Sequence, residues 1–266
     1  MASRLLENIQ YFLTIAKYTL FSFTFYRAQF VLWLSAASLM TLYQFIAVTV
    51  IYSVSSGIPG WSYYQLLFLS STASAGISII ITFVDISEIS YNLNHGRYDA
   101  KLLRPYGTFT IIAGLGGFIP DISSVLGSAL LMVYSLLNMS VSALSIIEFI
   151  VLLAFGLVAL SMFLVMLTMF SYRYLRGNIF ISEVVNFMRG VSTYPLTVYG
   201  TAGMLLFTVL LPIGTAYFYP AEVLFGSVGT LGFIAYLAGT VLVGIASYML
   251  FYLFVKGYTG SGSAMR

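Results

Sequence analysis

Charged residues are so sparse in this chain that they punctuate it. From Ala28 to Val84 no charged residue occurs, and Gly57, Pro59 and Gly60 divide that run into two apolar stretches, Val31 to Tyr52 and Tyr63 to Val84. Further apolar runs extend over Ile122 to Leu137, Ile147 to Phe170, Thr197 to Phe218 and Phe225 to Val255. Each is read as a membrane-spanning helix. A Lys, Arg or Asp at the centre of such a helix costs about 2.5–3.5 kcal/mol, and a hydrocarbon core of ~30 Å takes roughly 20 residues at 1.5 Å rise. The third run is short, so it is expected to begin earlier or to thin the bilayer locally. The predicted fold is an all-α polytopic membrane protein with six spans, residues 28–256, and no charge in mid-span.

Residues 1–27 carry a different pattern. Leu5, Leu6, Ile9, Phe12, Leu13, Ala16, Leu20 and Phe23 recur at three-and-four spacing, opposite Arg4, Glu7, Asn8, Thr14 and Lys17. That periodicity predicts an amphipathic helix too polar to cross, lying in the membrane interface. An ordinary flanking helix without mechanical role gives the same pattern.

Lysines and arginines orient the threading, because cytoplasmic loops retain positive charge. Arg4, Lys17 and Arg27 precede the first span. Arg97, Lys101 and Arg104 lie between the second and third, Arg173, Arg176 and Arg189 between the fourth and fifth, and Lys256 and Arg266 after the sixth. All fall on one side. Both termini are therefore expected to be cytoplasmic, with cytoplasmic loops at about 85–120 and 171–196 and a short tail at 257–266.

Composition agrees: 60% of residues are hydrophobic and 7% charged, against roughly 25% charged in ordinary soluble domains. A net charge of +3 confined to loops beside apolar spans reads as an orientation signal, and no nucleic-acid partner is implied. The chain has no cysteine, which excludes disulfides and thiolate sites.

The candidate chemistry is thin. Asp121, Glu148 and Glu222 fall at span edges, so no midplane relay of the kind found in ion-driven transporters is visible. His95 is the single histidine, which excludes a His-rich metal site. Lys17, Lys101 and Lys256 all lack the glycine context of a phosphate-cradling loop. Asp85 and Glu88, at i and i+3, suit a solvated helix end better than a catalytic pair. The second span concentrates small side chains from Ser70 to Ser78, which suits close helix packing or, as the sharper alternative, a hydroxyl-lined path. Tyr217 and Tyr219 at one end, and Tyr172 and Tyr174 at the other, read as aromatic belts. Gly96 is placed to end a helix that continues inward from the second span. Three classes stay open on these residues: a self-standing channel or lipid-translocating protein, an integral-membrane enzyme, and the membrane subunit of a machine powered elsewhere.

Two segments resemble a known family. Gly96-Arg97-Tyr98-Asp99-Ala100-Lys101-Leu102-Leu103-Arg104-Pro105 is similar to the glycine-to-"LL-R-P" signature after the second span of export-type (type-2) ABC transporter permeases. Tyr194-Pro195, Leu211-Pro212-Ile213-Gly214 and Tyr219-Pro220-Ala221-Glu222 resemble that family's "YP … PV-A … YPAE" segment around the fifth span. The glycine-rich stretch after Pro105, with Gly107, Gly114, Gly116 and Gly117, departs from it. The "EAA … G" docking segment of importer permeases is absent.

The resemblance implies a multi-pass cell-membrane protein that pairs with a second permease, identical or related, and with cytoplasmic ABC ATPase subunits. ATP and Mg would be bound by those partners, with no cofactor in this chain and no enzymatic activity of its own. It also implies an ATPase-docking loop carrying Gly96, Arg97, Lys101, Leu103, Arg104 and Pro105. From the residues themselves, the segment Leu211 to Gly226, which carries Pro212, Gly214, Pro220, Glu222 and Gly226, is read as a broken or re-entrant outer element, because its prolines and glycines interrupt helix hydrogen bonding, or as a simple extracellular loop. The cargo expected of an aromatic, hydroxyl-bearing interior is hydrophobic or amphiphilic. The orientation is checked by labelling: Ser56→Cys should react with an impermeant thiol reagent added outside, and Ser182→Cys should not.

Overall fold

The computed structural model describes residues 2–22, 27–55, 57–84, 86–99, 102–114, 121–174 and 178–256, and among them the chain is helical with no strand. In chain order the helices are α1 (Ala2–Ser22), α2 (Arg27–Val54), α3 (Tyr63–Phe83), α4 (Ile86–Asn94), α5 (Thr108–Ala113) and α6 (Asp121–Leu137). They continue with α7 (Ala143–Tyr174), α8 (Asn178–Val191), α9 (Gly200–Leu205), α10 (Phe218–Leu224) and α11 (Thr230–Val255).

Among these, α2, α3, α7 and α11 are long and apolar enough to cross a membrane. The pair Ile179–Val191 and Leu196–Leu210, bent by 103°, adds a fifth span if it is read as one broken helix. At 17 residues α6 is shorter, about 26 Å at 1.5 Å per residue. The first, second, fourth and sixth predicted runs thus each coincide with one long helix.

The bundle is built around α3, whose apolar window is 78% buried, whereas that of α2 is 11% buried. Local chemistry sets its start. Gly57 (φ 78°) and Gly60 (φ 81°) take the left-handed conformation in the α2–α3 turn, and Tyr52 donates its hydroxyl to the Trp61 carbonyl across it, at 2.5 Å. Ser62 and Gln65 then form a reciprocal capping box: the Gln65 N–H donates to Ser62 Oγ at 3.3 Å, and the Ser62 N–H to Gln65 Oε1 at 2.9 Å, which satisfies two otherwise orphaned donors. At this end Trp61 meets Phe218 and Phe225, and Phe68 meets Phe149 and Phe225. The α2–α3 turn, the start of α7 and the end of α10 therefore share one end of the bundle, while α1, α4 and α5 gather at the other.

The connection at 171–196 is largely helical: α7 runs on to Tyr174 and α8 occupies Asn178–Val191. Ile181, Val185, Met188 and Val191 are buried along one face of α8, the three-and-four spacing of an amphipathic helix. The predicted run Thr197 to Phe218 is not one helix. A 3-10 turn at Leu196–Tyr199 leads into α9, a π turn follows at Leu206–Leu210, and the helix stops there. A 3-10 turn at Gly214–Ala216 then precedes α10.

This last turn is driven into the core. A β-carbon on Gly156 of α7 would collide with the Thr215 carbonyl, and one on Gly76 of α3 would lie 3.9 Å from the Ala216 carbonyl oxygen and 3.0 Å from Leu157. The turn carries its own polar partners inward: Thr215 Oγ1 donates to the Pro212 carbonyl at 2.6 Å and the Ala216 N–H to that of Ile213 at 3.0 Å. Irregular backbone at such depth is tolerated when it is satisfied within the protein. As a consequence Tyr217 and Tyr219 are buried and do not form an aromatic belt: the inserted turn carries them into the core.

Backbone contact at Gly156 makes that position sensitive to a single methyl. Gly156→Ala should lower thermal stability in mild detergent by about 1–3 kcal/mol, the usual cost of overpacking. Gly239→Ala, where nothing lies within 4 Å of the added carbon in the interior of α11, should not lower the melting temperature and should raise it slightly, because alanine favours the helix over glycine.

Candidate functional site

The segment following α4 is a tethered loop with an exposed crown. Gly96 (φ 65°) ends α4 in a Schellman arrangement, the Arg97 N–H donating to the Asn92 carbonyl at 3.0 Å and the Gly96 N–H to that of Leu93 at 3.3 Å. The expected helix stop at Gly96 is therefore realised. α4 is nonetheless a separate helix, because α3 ends at Phe83 and α4 starts only at Ile86.

Tyr98 anchors the loop. It is fully buried, and its hydroxyl donates to the Ile112 carbonyl of α5 at 3.2 Å. The Leu102 N–H returns to the Tyr98 carbonyl at 2.8 Å, and the Tyr106 N–H reaches back to that of Arg104 at 2.8 Å, closing a tight turn at Pro105. Outward from these anchors stand Arg97, Leu103, Arg104 and Pro105, with Leu103 86% exposed. The Arg97 guanidinium lies over the Tyr91 ring, 5.0 Å from its centroid, and His95 stacks on the same ring at 4.0 Å. Lys101 lies outside the described residues, as does Asp85.

The amino-terminal helix is fastened to the same loop. The Gly107 N–H donates to Asn8 Oδ1 at 3.0 Å, and Tyr11 stacks on Tyr106 with ring centroids 4.4 Å apart. Ile9, Leu13 and Phe21 point away from the bundle, exposed. One face of α1 thus holds protein and another presents apolar side chains to the surroundings.

The four residues assigned to the outer re-entrant element, Pro212, Gly214, Pro220 and Glu222, fall on the inserted segment and the helix that follows it. Pro212, Gly214 and Pro220 are buried and Glu222 is half-buried. Pro212 and Gly214 flank the end of the π turn, where the Leu211 N–H reaches the Leu206 carbonyl at 2.9 Å, and Pro220 sits in the first turn of α10, where its missing N–H costs no helix bond. Glu222 Oε2 accepts from the Tyr236 hydroxyl of α11 at 3.1 Å. Tyr236 stacks against Tyr219 at 4.3 Å, and Tyr219 shares a hydrogen bond of 2.5 Å with Thr208. The segment is therefore held on both flanks, by α7 and by α11.

The small residues of α3 divide between two faces. Ala73 and Gly76 face Ile213, Ala216, Tyr217 and Ser192. Ser70, Ser74 and Ser78, at successive four-residue steps, instead line a partly enclosed cavity of about 490 Å³ between α2, α3, α6 and the turn after α8. Close helix packing is thus met on the first face, while on the second the serine hydroxyls line a cavity. Sequence reading missed the contribution of Arg189, which borders this cavity together with Ser74, Ser78 and Tyr43. Ser74 and Ser78 lie 11 and 15 residues beyond Tyr63, about 16 and 22 Å along a 21-residue helix of about 31 Å. The amphipathic spacing of α8 was the available signal that Arg189 sits on a helix.

No group of three or more His, Cys, Asp or Glu side chains that could hold a metal is present among the described residues. Comparison with known proteins returns one kind of match. Searches of curated proteins and of solved structures give none. Residues 38–262 match the family model described as ABC-2 family transporter protein, a stretch that takes in α3, the tethered loop, the cavity, the inserted segment and α11. With several helices able to cross a membrane and that match over most of its length, the chain belongs to the ABC-2 family of transporter proteins.

Proposed function

We propose that this chain is the permease subunit of an export-type ABC transporter, working as a pair of permeases with cytoplasmic ATPase subunits that bind ATP and Mg. In this reading α6 is the third of six spans, both termini face the cytoplasm of a cell membrane, and α1 lies in the interface. The loop from Gly96 to Pro105, with Lys101, is the ATPase-docking surface. The segment carrying Pro212, Gly214, Pro220 and Glu222 is the re-entrant element that closes the path on the outer side.

The observation that carries this reading is the build of the docking loop. Leu103 is 86% exposed, between buried Tyr98 and the turn at Pro105. An exposed apolar side chain beside Arg104, with anchoring contacts on both sides, is a form suited to insertion in a groove of a partner, since anchoring lowers the ordering cost on binding. The tether from α1 to Gly107 and Tyr106 supports the coupling role, since movement of the loop is transmitted to a helix lying along the membrane. Closure of the ATPases on ATP would then be converted into rigid-body reorientation of the paired bundles.

Two measurements follow. Purified in mild detergent from its native membranes, the tagged chain should bring down a stoichiometric ATP-binding subunit and hydrolyse ATP; a chain that purifies alone and inert removes this reading. Within that complex, Leu103→Ser combined with Arg104→Ala should weaken ATPase recruitment by about tenfold or more, as for loss of a central interface anchor, without changing the permease's own melting temperature. Unchanged recruitment overturns the assignment of the loop.

A further inference from the structure

The cavity between α2, α3, α6 and the turn after α8 collects polar side chains that the protein does not itself satisfy. Earlier on α3, Ser70 and Ser71 donate their hydroxyls back to the Leu67 carbonyl and Thr72 donates to that of Phe68, the ordinary way a helix absorbs such groups. Ser74 and Ser78, one turn apart on the face of α3 that lines the cavity, make no such bond. Among the described residues their hydroxyls have no hydrogen-bond partner, and the same holds for the side chains of Gln44 on α2 and Ser124 on α6, which line the same cavity.

Ser78 is the sharpest case. It is 3% exposed, and a hydroxyl so buried is normally hydrogen-bonded. Its oxygen is not sealed in packing, since Thr82 Oγ1 is the single enclosed side-chain polar atom without a partner among the described residues. The Ser78 hydroxyl therefore opens onto the cavity it lines.

Charge is kept away from these groups. Arg189 borders the cavity but is exposed and makes an interaction of its own, and the Ser192 and Thr193 hydroxyls donate to its carbonyl at 3.1 and 3.2 Å. No Asp, Glu or Lys stands among the described lining residues. The free groups are instead set singly into apolar wall, Gln44 between Met40 and Val48 along α2, and Ser74 and Ser78 on either side of Ile77. Scattered neutral groups of this kind do not offset the cost of desolvating an ion. Serine hydroxyls and the glutamine amide each donate and accept, so they suit a ligand whose own hydroxyls are separated by C–H groups. A few placed polar groups in an otherwise apolar pocket fix the orientation of such a ligand.

The cavity volume of about 490 Å³ falls within the range of small-molecule sites, roughly 300–1,000 Å³. At ~30 Å³ for each water-sized group it has room for a sugar-sized head and the start of a chain. We propose that this cavity binds the uncharged, polyhydroxylated head of an amphiphile, a glycosyl or glyceryl unit, with Gln44, Ser74, Ser78 and Ser124 bonded to its hydroxyls. This rests on the permease reading only for the role of the ligand as cargo; the binding itself is a property of the cavity. It narrows the expected cargo from hydrophobic or amphiphilic to an amphiphile with a neutral polyol head.

The test uses the full chain, with whatever subunits co-purify, in phosphatidylcholine nanodiscs, and measures displaceable binding of radiolabelled dodecyl glucoside above that of empty nanodiscs. Binding should saturate at one site per chain and be competed by monododecanoylglycerol. Dodecyl phosphate and dodecyltrimethylammonium, with the same chain length, should compete about tenfold more weakly or less, because a charged head finds no counter-charge. Ser78→Ala and Gln44→Leu should each weaken binding a few-fold, and Ser74→Ala with Ser78→Ala about tenfold, as for one and two lost hydrogen bonds. Ser71→Ala, which removes a hydroxyl bonded within α3 and away from the cavity, should bind as wild type. Equal competition by the ionic chains, equal binding by wild type and the Ser74→Ala, Ser78→Ala chain, or an equal loss in Ser71→Ala overturns the proposal. If the double variant fails to fold, the competition series on the wild-type protein decides alone. Selective binding that persists in a chain recruiting no ATPase supports the cavity while removing the permease reading. Lost head selectivity with intact recruitment removes the cavity proposal and leaves the permease reading standing.

Discussion

The insertion of the Gly214–Ala216 turn between α3 and α7 is the contact on which the rest of the arrangement depends. Backbone can enter the middle of an apolar bundle only if its carbonyls and amides find partners inside the protein and the neighbouring helices leave room. The side chain of Thr215 and the local N–H bonds meet the first demand. Gly156 and Gly76 meet the second. Because the turn is fixed, Tyr217 is buried with its hydroxyl 3.4 Å from the Tyr194 carbonyl, and α10 rises to place Phe218 and Phe225 on Trp61.

Much of the fold was legible because the signals were strong and local. Long uncharged runs bounded by Gly57, Pro59 and Gly60 marked α2 and α3, and the helix stop at Gly96 followed from the one residue type that takes positive φ at no cost. The misreadings share another cause. α8 is amphipathic and carries Arg189, so a rule that locates spans by charge-free runs passes over it. The run from Thr197 to Phe218 is uncharged, yet the helix breaks inside it at Leu211–Pro212, where the proline already read as an interruption ends it; how deeply the following turn inserts depends on a glycine on a different helix, Gly156. The site divided the same way. Exposure of Leu103 and Arg104 follows from local turns, whereas the cavity requires α2, α3, α6 and α8 to be brought together, which no local pattern encodes.

Burial is also distributed unevenly for a physical reason. In water, the exposed Leu32, Leu39, Leu42 and Val50 of α2 and Leu231, Leu242 and Leu253 of α11 would leave apolar faces that soluble monomers rarely expose. In a bilayer, lipid tails are as apolar as leucine, so such faces carry no penalty and association depends on close packing of small residues. The tight contacts accordingly lie where α3 and α7 present glycine, alanine and serine, and the outer helices α2 and α11 remain largely uncovered.

These features meet at the turn after α8. Ser192 borders both the inserted segment, beside Ala216 and Tyr217, and the cavity, beside Ser74 and Ser78. Tyr194 likewise lines the cavity and accepts from Tyr217. The wall carrying Arg189 is thus held by the same few residues that hold the inserted turn, and no flexible linker separates them. Close-packed interiors do not deform continuously, so a displacement of the Ser192–Tyr194 turn large enough to alter the cavity must also repack the Gly214–Ala216 turn against Gly156. Cavity shape and the seating of the inserted segment are therefore two aspects of one packing arrangement.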